Sequence, residues 1–122
     1  MNWPRLLEIA KAEVRSTLRS LPRQLRTPAK QIPVRYLRRP DRRPECAGLE
    51  PDTLGLFVGL SLTETEWTPG QMTAQILLFL ENLWEFAEDD EEIYREEVRR
   101  TLLHELGHYL GLEETDLEDR DL

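Results

Sequence analysis

The segment that most restricts this chain's fold is residues 91–111, EEIYREEVRRTLLHELGHYLG, which carries helix signals from end to end. Acids such as Glu91 and Glu92 crowd its first turn, where they favour the positive end of a helix dipole. Arg99 and Arg100 follow Glu96 and Glu97 at helical spacing. Gly111 supplies a stop, because a residue without a Cβ readily takes the left-handed conformation that closes a helix. Inside this run stands His104, Glu105, Leu106, Gly107, His108. Two histidines four residues apart sit about 40° apart on a helix, so both imidazoles reach one cation from a single face. Glu105 lies about 100° round from His104, beside such a cation rather than on it, where a base toward a zinc-activated water belongs.

A packed core histidine would be the plainer explanation, and the helical wheel argues against it. With His104 at zero, Leu102, Leu106, Tyr109 and Leu110 fall at roughly 140 to 240°, opposite the histidines. The chain has only two histidines and both are in the motif. A third protein ligand must therefore be a carboxylate or Cys46. Gly111 turns the chain back toward the histidine face, which places Glu114 to return to the metal. Glu113, Asp116 and Cys46 are its rivals, and a solvated acidic tail is the plain alternative.

At 122 residues with 39% hydrophobic content, the chain has material for one core, so one domain over 1–122 is expected. The net charge of −8 is unevenly spread: residues 1–61 hold 12 Lys and Arg against 6 Asp and Glu, and residues 62–122 hold 4 against 18. The acidic total argues against a general nucleic-acid binder. Arg35, Arg38, Arg39, Arg42 and Arg43 keep an anion contact in view, with a solvated surface as the commoner use of such a cluster. One cysteine cannot form an internal disulfide. The first twenty residues carry a charge every few positions and no apolar signal core, and no later stretch has the length of a membrane span. A cytoplasmic location without membrane contact is the expectation.

Leu7, Ala10, Val14, Leu18 and Leu21 recur at steps of three and four, predicting a first helix capped by Asn2 and ended by Pro22. Residues 32–37 suit a short strand that Pro33 confines to an edge or a strand start. Residues 40–55 have no apolar period and are long for an unstructured connection, so they are either mobile or the cover of a site. Residues 56–62 read as a strand, with Gly59 marking a bulge or the close approach of another backbone. The apolar run 75–80 is taken as a strand, and Asn82 as the cap of a short helix over 83–88 closed by the acidic run AEDDEE.

HELGHYLGLEE, in the form HExxHxxGxxE, resembles the HExxHxxGxxD motif of the mini-zincins, small bacterial zincin-like metallopeptidases. Upstream, GLFVGLSLTETE, QMTAQILLFLENLWEFA and EEVRRTLLHELGHYLGL are similar in order and spacing to that family's strand, edge strand plus helix, and active-site helix, so the likeness covers roughly residues 50–117. The resemblance implies an α+β, minimal zincin-like fold with a small mixed sheet, an edge strand and an active-site helix. It also implies one catalytic Zn2+, with His104 and His108 as ligands, Glu105 as general base and Glu114 in the place of the third-ligand aspartate. Glutamate adds a methylene there, which displaces the backbone that must deliver the ligand. The only methionines, Met1 and Met72, precede the motif, and eleven residues follow Gly111, so a shallow substrate site is expected.

The function expected is zinc-dependent peptide hydrolysis, with a metal-binding or interaction module lacking efficient catalysis as the alternative. The expected partner is a peptide or protein substrate, pairing with residues 75–80 as an exposed edge strand; a homodimer is a further option, and no nucleic acid is expected. Tyr109 falls on the core side of the helix and is assigned to packing.

Overall fold

The computed structural model describes residues 1–64 and 71–112. Helix α1 spans Trp3–Ser20, and Asn2 caps it, its side chain accepting the Arg5 N–H at 3.0 Å. Leu6, Ile9, Ala10 and Val14 form its buried stripe, with Thr17 buried beside them because its hydroxyl donates to the Glu13 carbonyl. Leu7 and Leu18 are only partly buried, so the stripe lies slightly round from the one read off the sequence. A short helix α2, Arg23–Ala29, follows Pro22.

Strands β1 (Val34–Leu37), β2 (Gly55–Val58) and β3 (Gln75–Phe79) form a three-stranded mixed sheet in the order β1-β3-β2. β1 runs parallel to β3, with Val34 opposite Ile76, and β2 runs antiparallel to it, with Gly55 opposite Leu78. β3 is therefore the central strand, not the exposed edge expected of residues 75–80. Its continuous apolar run reflects burial on both faces, the pattern of a strand with neighbours and cover on all sides. Ile76 and Leu78 face the helices, while Leu77 and Phe79 face Cys46 and its neighbours. Pro33 directly precedes β1, an edge strand, as its missing N–H requires.

Residues 40–54 cover the second face of the sheet. A single turn of 3-10 helix, Pro44–Cys46, sets Cys46 on Leu77 and Phe79, and Leu49 packs against the same cluster. Asn82 pins this strap. It lies inside helix α3 (Leu80–Phe86), not at its cap, and its buried amide donates to the carbonyls of Pro51 at 2.7 Å and Thr53 at 2.9 Å while accepting from Arg39.

Glu88 and Asp89 then take left-handed conformations, with φ of 53° and 61°, and turn the chain into helix α4, Glu91–Tyr109, which Asp90 caps through the Ile93 N–H. Tyr94, Val98, Leu102, Leu106 and Tyr109 form its buried stripe against the remaining helices and the sheet. The Tyr94 hydroxyl donates to the Leu6 carbonyl at 2.9 Å, fastening α4 to α1. Opposite charges in the two halves of the sequence meet across the surface: Arg5 pairs with Glu91, Arg38 with Glu81, and Arg39 with Glu81 and Glu85. Among the described residues no helix is long and apolar enough to cross a membrane.

Candidate metal centre

The end of α4 sets the geometry of the histidine pair. The helix closes with the Gly111 N–H bonded to the His108 carbonyl and the Leu112 N–H bonded to that of Gly107, both at 3.0 Å, while Gly111 has φ of 79°. This is a left-handed glycine closure that satisfies two of the carbonyls a helix end leaves open. A third, that of Tyr109, accepts the Leu62 N–H at 2.8 Å. The last turn is thus tied to the segment that follows β2. A Cβ on Gly111 would collide with the Thr63 side chain, so glycine is required both by conformation and by contact.

His104 and His108 are half-buried and lie off the buried stripe, in the place the wheel gives them. Their Nε2 atoms approach to 3.2 Å, with the rings 82° apart. Two nitrogens each about 2.0–2.1 Å from a tetrahedral zinc stand about 3.3 Å apart, so the observed separation fits a shared cation. The Glu105 carboxylate belongs to the same group, whose potential ligand atoms all lie within 4.8 Å of one another. No other His, Cys, Asp or Glu among the described residues joins it.

Cys46 is excluded from this centre by position. It is buried against Leu77 and Phe79, on the face of β3 opposite to Ile76 and Leu78, against which α4 packs. Glu113, Glu114 and Asp116 lie outside the described residues. Tyr109 is 7% exposed and packs against the Phe57 ring at 5.9 Å between centroids, as its wheel position predicts. The arginine cluster is largely committed within the molecule: besides the pairs of Arg38 and Arg39, Arg35 reaches Gln75 and Glu45, Arg43 holds Asp41, and Arg38 lies 4.8 Å above the Trp3 ring.

β2 crosses over the motif. Gly55 sits against Thr101, where a Cβ would clash with the threonine methyl, and Phe57 reaches Tyr109, so the strand passes the whole His104–His108 segment in the same sense as the helix. The Phe79 N–H donates to the Leu54 carbonyl, which makes Leu54, Leu56 and Val58 the residues bonded to β3. By antiparallel alternation the N–H and C=O groups of Gly55 and Phe57 point to the outer edge. Beside that edge, a cleft of about 610 Å³ is bounded by Phe57, Ser61, Thr63, Glu64, Glu105 and His108. A smaller one, about 280 Å³, lies at the Gly55 end between Glu97, Arg100, Thr101 and His104. Ser61, Thr63 and Glu64 carry no signal in the sequence, because tertiary contacts bring them to the helix end: the Leu62–Tyr109 hydrogen bond and the packing of Thr63 on Gly111.

Residues 29–122 match a family model described as zincin-like metallopeptidase. The match begins upstream of the resemblance noted in the sequence and takes in β1. No curated protein matches the chain.

Proposed function

The chain belongs to the zincin-like metallopeptidase family, and on that footing we propose that it is a zinc-dependent metallopeptidase of one domain. His104 and His108 hold the metal, Glu105 acts as general base, and Glu114 is the third ligand, with Glu113 and Asp116 as its rivals. The observation that carries this reading is the 3.2 Å approach of the two Nε2 atoms beside the Glu105 carboxylate, under an edge strand with outward backbone groups.

A zinc ion in such a site supplies Lewis acidity, easing the ionisation of water near neutral pH and polarising a carbonyl. Glu105 accepts the proton that water gives up at its carboxylate and delivers it to the departing amine, the double use expected of one base that is also the nearest acid. An extended peptide pairs with the outer edge of β2 through Gly55 and Phe57, and this holds its carbonyl beside the histidine pair. The substrate is a peptide or an unfolded protein segment, because only an extended backbone can add to a strand edge. A single buried cysteine, which cannot form an internal disulfide, suits a cytoplasmic setting.

A second reading is a metal-binding or interaction module without efficient catalysis: Tyr109, the tyrosine next to the motif, packs in the core against Phe57, so catalysis requires an oxyanion donor from elsewhere. Cleavage of an unstructured peptide by zinc-loaded protein separates the two. Peptidase action requires cleavage by the native chain and its loss in Glu105→Gln with zinc retained. A zinc-loaded protein that cuts no peptide supports the module.

A further inference from the structure

The two clefts that flank the histidine pair differ at their far ends: the larger one has the carboxylate of Glu64, and the smaller one has the exposed guanidinium of Arg100, which is paired with Glu97. Glu64 lines the larger cleft, beyond the Val58 end of β2; its Oε1 accepts the Ser61 N–H at 3.1 Å, and it forms no ion pair with a described cation. Arg100 lines the smaller cleft, at the Gly55 end. Its guanidinium stands 3.3 Å from the Glu97 carboxylate, whose side chain is 9% exposed, while the arginine itself is 70% exposed.

β2 runs from the Arg100 cleft to the Glu64 cleft, past His104, Glu105 and His108. Antiparallel pairing is the more stable form of strand addition. It sets the amino-terminal half of a bound peptide at the Glu64 end and the carboxyl-terminal half at the Arg100 end. A peptide's own polarity, amine first and carboxylate last, has the same order of charge as this edge requires.

We infer that the site selects peptides by charge order, with a cation ahead of the scissile bond read by Glu64 and an anion after it read by Arg100. The inference rests on the peptidase reading for the position of the scissile bond. Glu64 and Arg100 are specificity residues at the rim of the site. Their effect falls on encounter and ground-state binding more than on the chemical step. The cation is an ammonium or guanidinium, from a side chain or from the amino terminus. The anion is a carboxylate from Asp, Glu or the carboxyl terminus.

The test uses dye-labelled peptides with one apolar centre and either lysine before and glutamate after it, or the reverse. Binding is measured by fluorescence anisotropy on zinc-loaded Glu105→Gln, and cleavage on the native chain. The lysine-first peptide is expected to bind about tenfold tighter than the reversed one at low salt, with the gap shrinking at high salt. In the same background Glu64→Gln, which keeps an acceptor for the Ser61 N–H, narrows the gap severalfold, and Arg100→Glu inverts the preference at the carboxyl-terminal side. Acetylating the amino terminus lowers the affinity of both peptides alike if the terminus adds to the cation read by Glu64, and the gap between the two orders persists. Equal binding of the two orders, or tighter binding of the reversed one, overturns it. Charge-ordered binding without cleavage by the native chain overturns the peptidase reading instead, and cleavage that is blind to charge order at peptide concentrations well below saturation overturns this inference alone.

Discussion

Gly59 passes so close to Ala74 that a Cβ on the glycine would lie 2.6 Å from the Ala74 Cα, and its φ of 104° is one that side-chain-bearing residues rarely adopt. β2 ends here, and the chain turns toward Leu62 and the end of α4. Gly59→Ala combines backbone strain with a clash that only a shift of β2 can relieve, so it should cost about 3 kcal/mol in denaturant unfolding. Because the cleft wall follows from this turn, the variant should also weaken peptide binding.

Asn82 offers a second handle, on the strap over the far face of the sheet. Asn82→Leu keeps the volume but removes two donors to the Pro51 and Thr53 carbonyls and the acceptor for Arg39. We expect a loss of about 2 kcal/mol. Protease cleavage should then appear within residues 40–54, while metal binding on the opposite face persists. Limited proteolysis followed by mass spectrometry reads both the site and the extent of opening.

Tyr94 links stability to alkaline pH. Burial, and secondarily the neighbouring charge of Tyr36, raise its phenol above the ordinary value of 10.0. Above that value the unfolded chain gives up a proton that the folded chain retains. The contribution is fully present below pH 10 and is lost as pH rises through the higher folded pKa. Tyr94→Phe should lose about 1 kcal/mol at neutral pH with the Leu6 hydrogen bond, and its stability should fall less steeply than that of the native chain above pH 10. Urea unfolding at intervals across that range measures both.

Cys46→Ala separates position from chemistry. A thiol is the softest zinc ligand in the chain, yet this one is packed against Leu77 and Phe79 across the sheet from α4. The variant should lose about 1 kcal/mol by emptying part of a small core and should bind zinc with unchanged affinity. A large fall in affinity would mean that the sheet does not separate the two.

The local part of this structure was legible in the sequence, and the long-range part was not. The Asn2 cap, the break at Pro22, the close approach at Gly59 and the glycine closure of α4 are matters of a few neighbouring residues, and each appears where its residue types require. The histidine pair was equally accessible, since spacing on one helix sets it. The run 75–80 reads as an edge, although the neighbours of its strand on both sides come from strands about twenty and forty residues away; an apolar run records burial, not pairing order. The helix α2, RQLRTPA, has too few apolar residues for a period and contains Pro28. Asn82 looked like a cap because polar residues before a helix usually are, whereas here its partners are supplied by the strap. Ser61, Thr63 and Glu64 have no pattern of their own and enter the site through tertiary contacts at Tyr109 and Gly111.

Direct metal analysis tests whether His104 and His108 hold zinc. Protein equilibrated with zinc and freed of excess by gel filtration should carry about one zinc per chain by mass spectrometry of the elements. His104→Ala and His108→Ala should carry almost none, and Glu105→Gln should keep its zinc. Native protein that retains no zinc, or histidine variants that retain as much as the native chain, would contradict the claim.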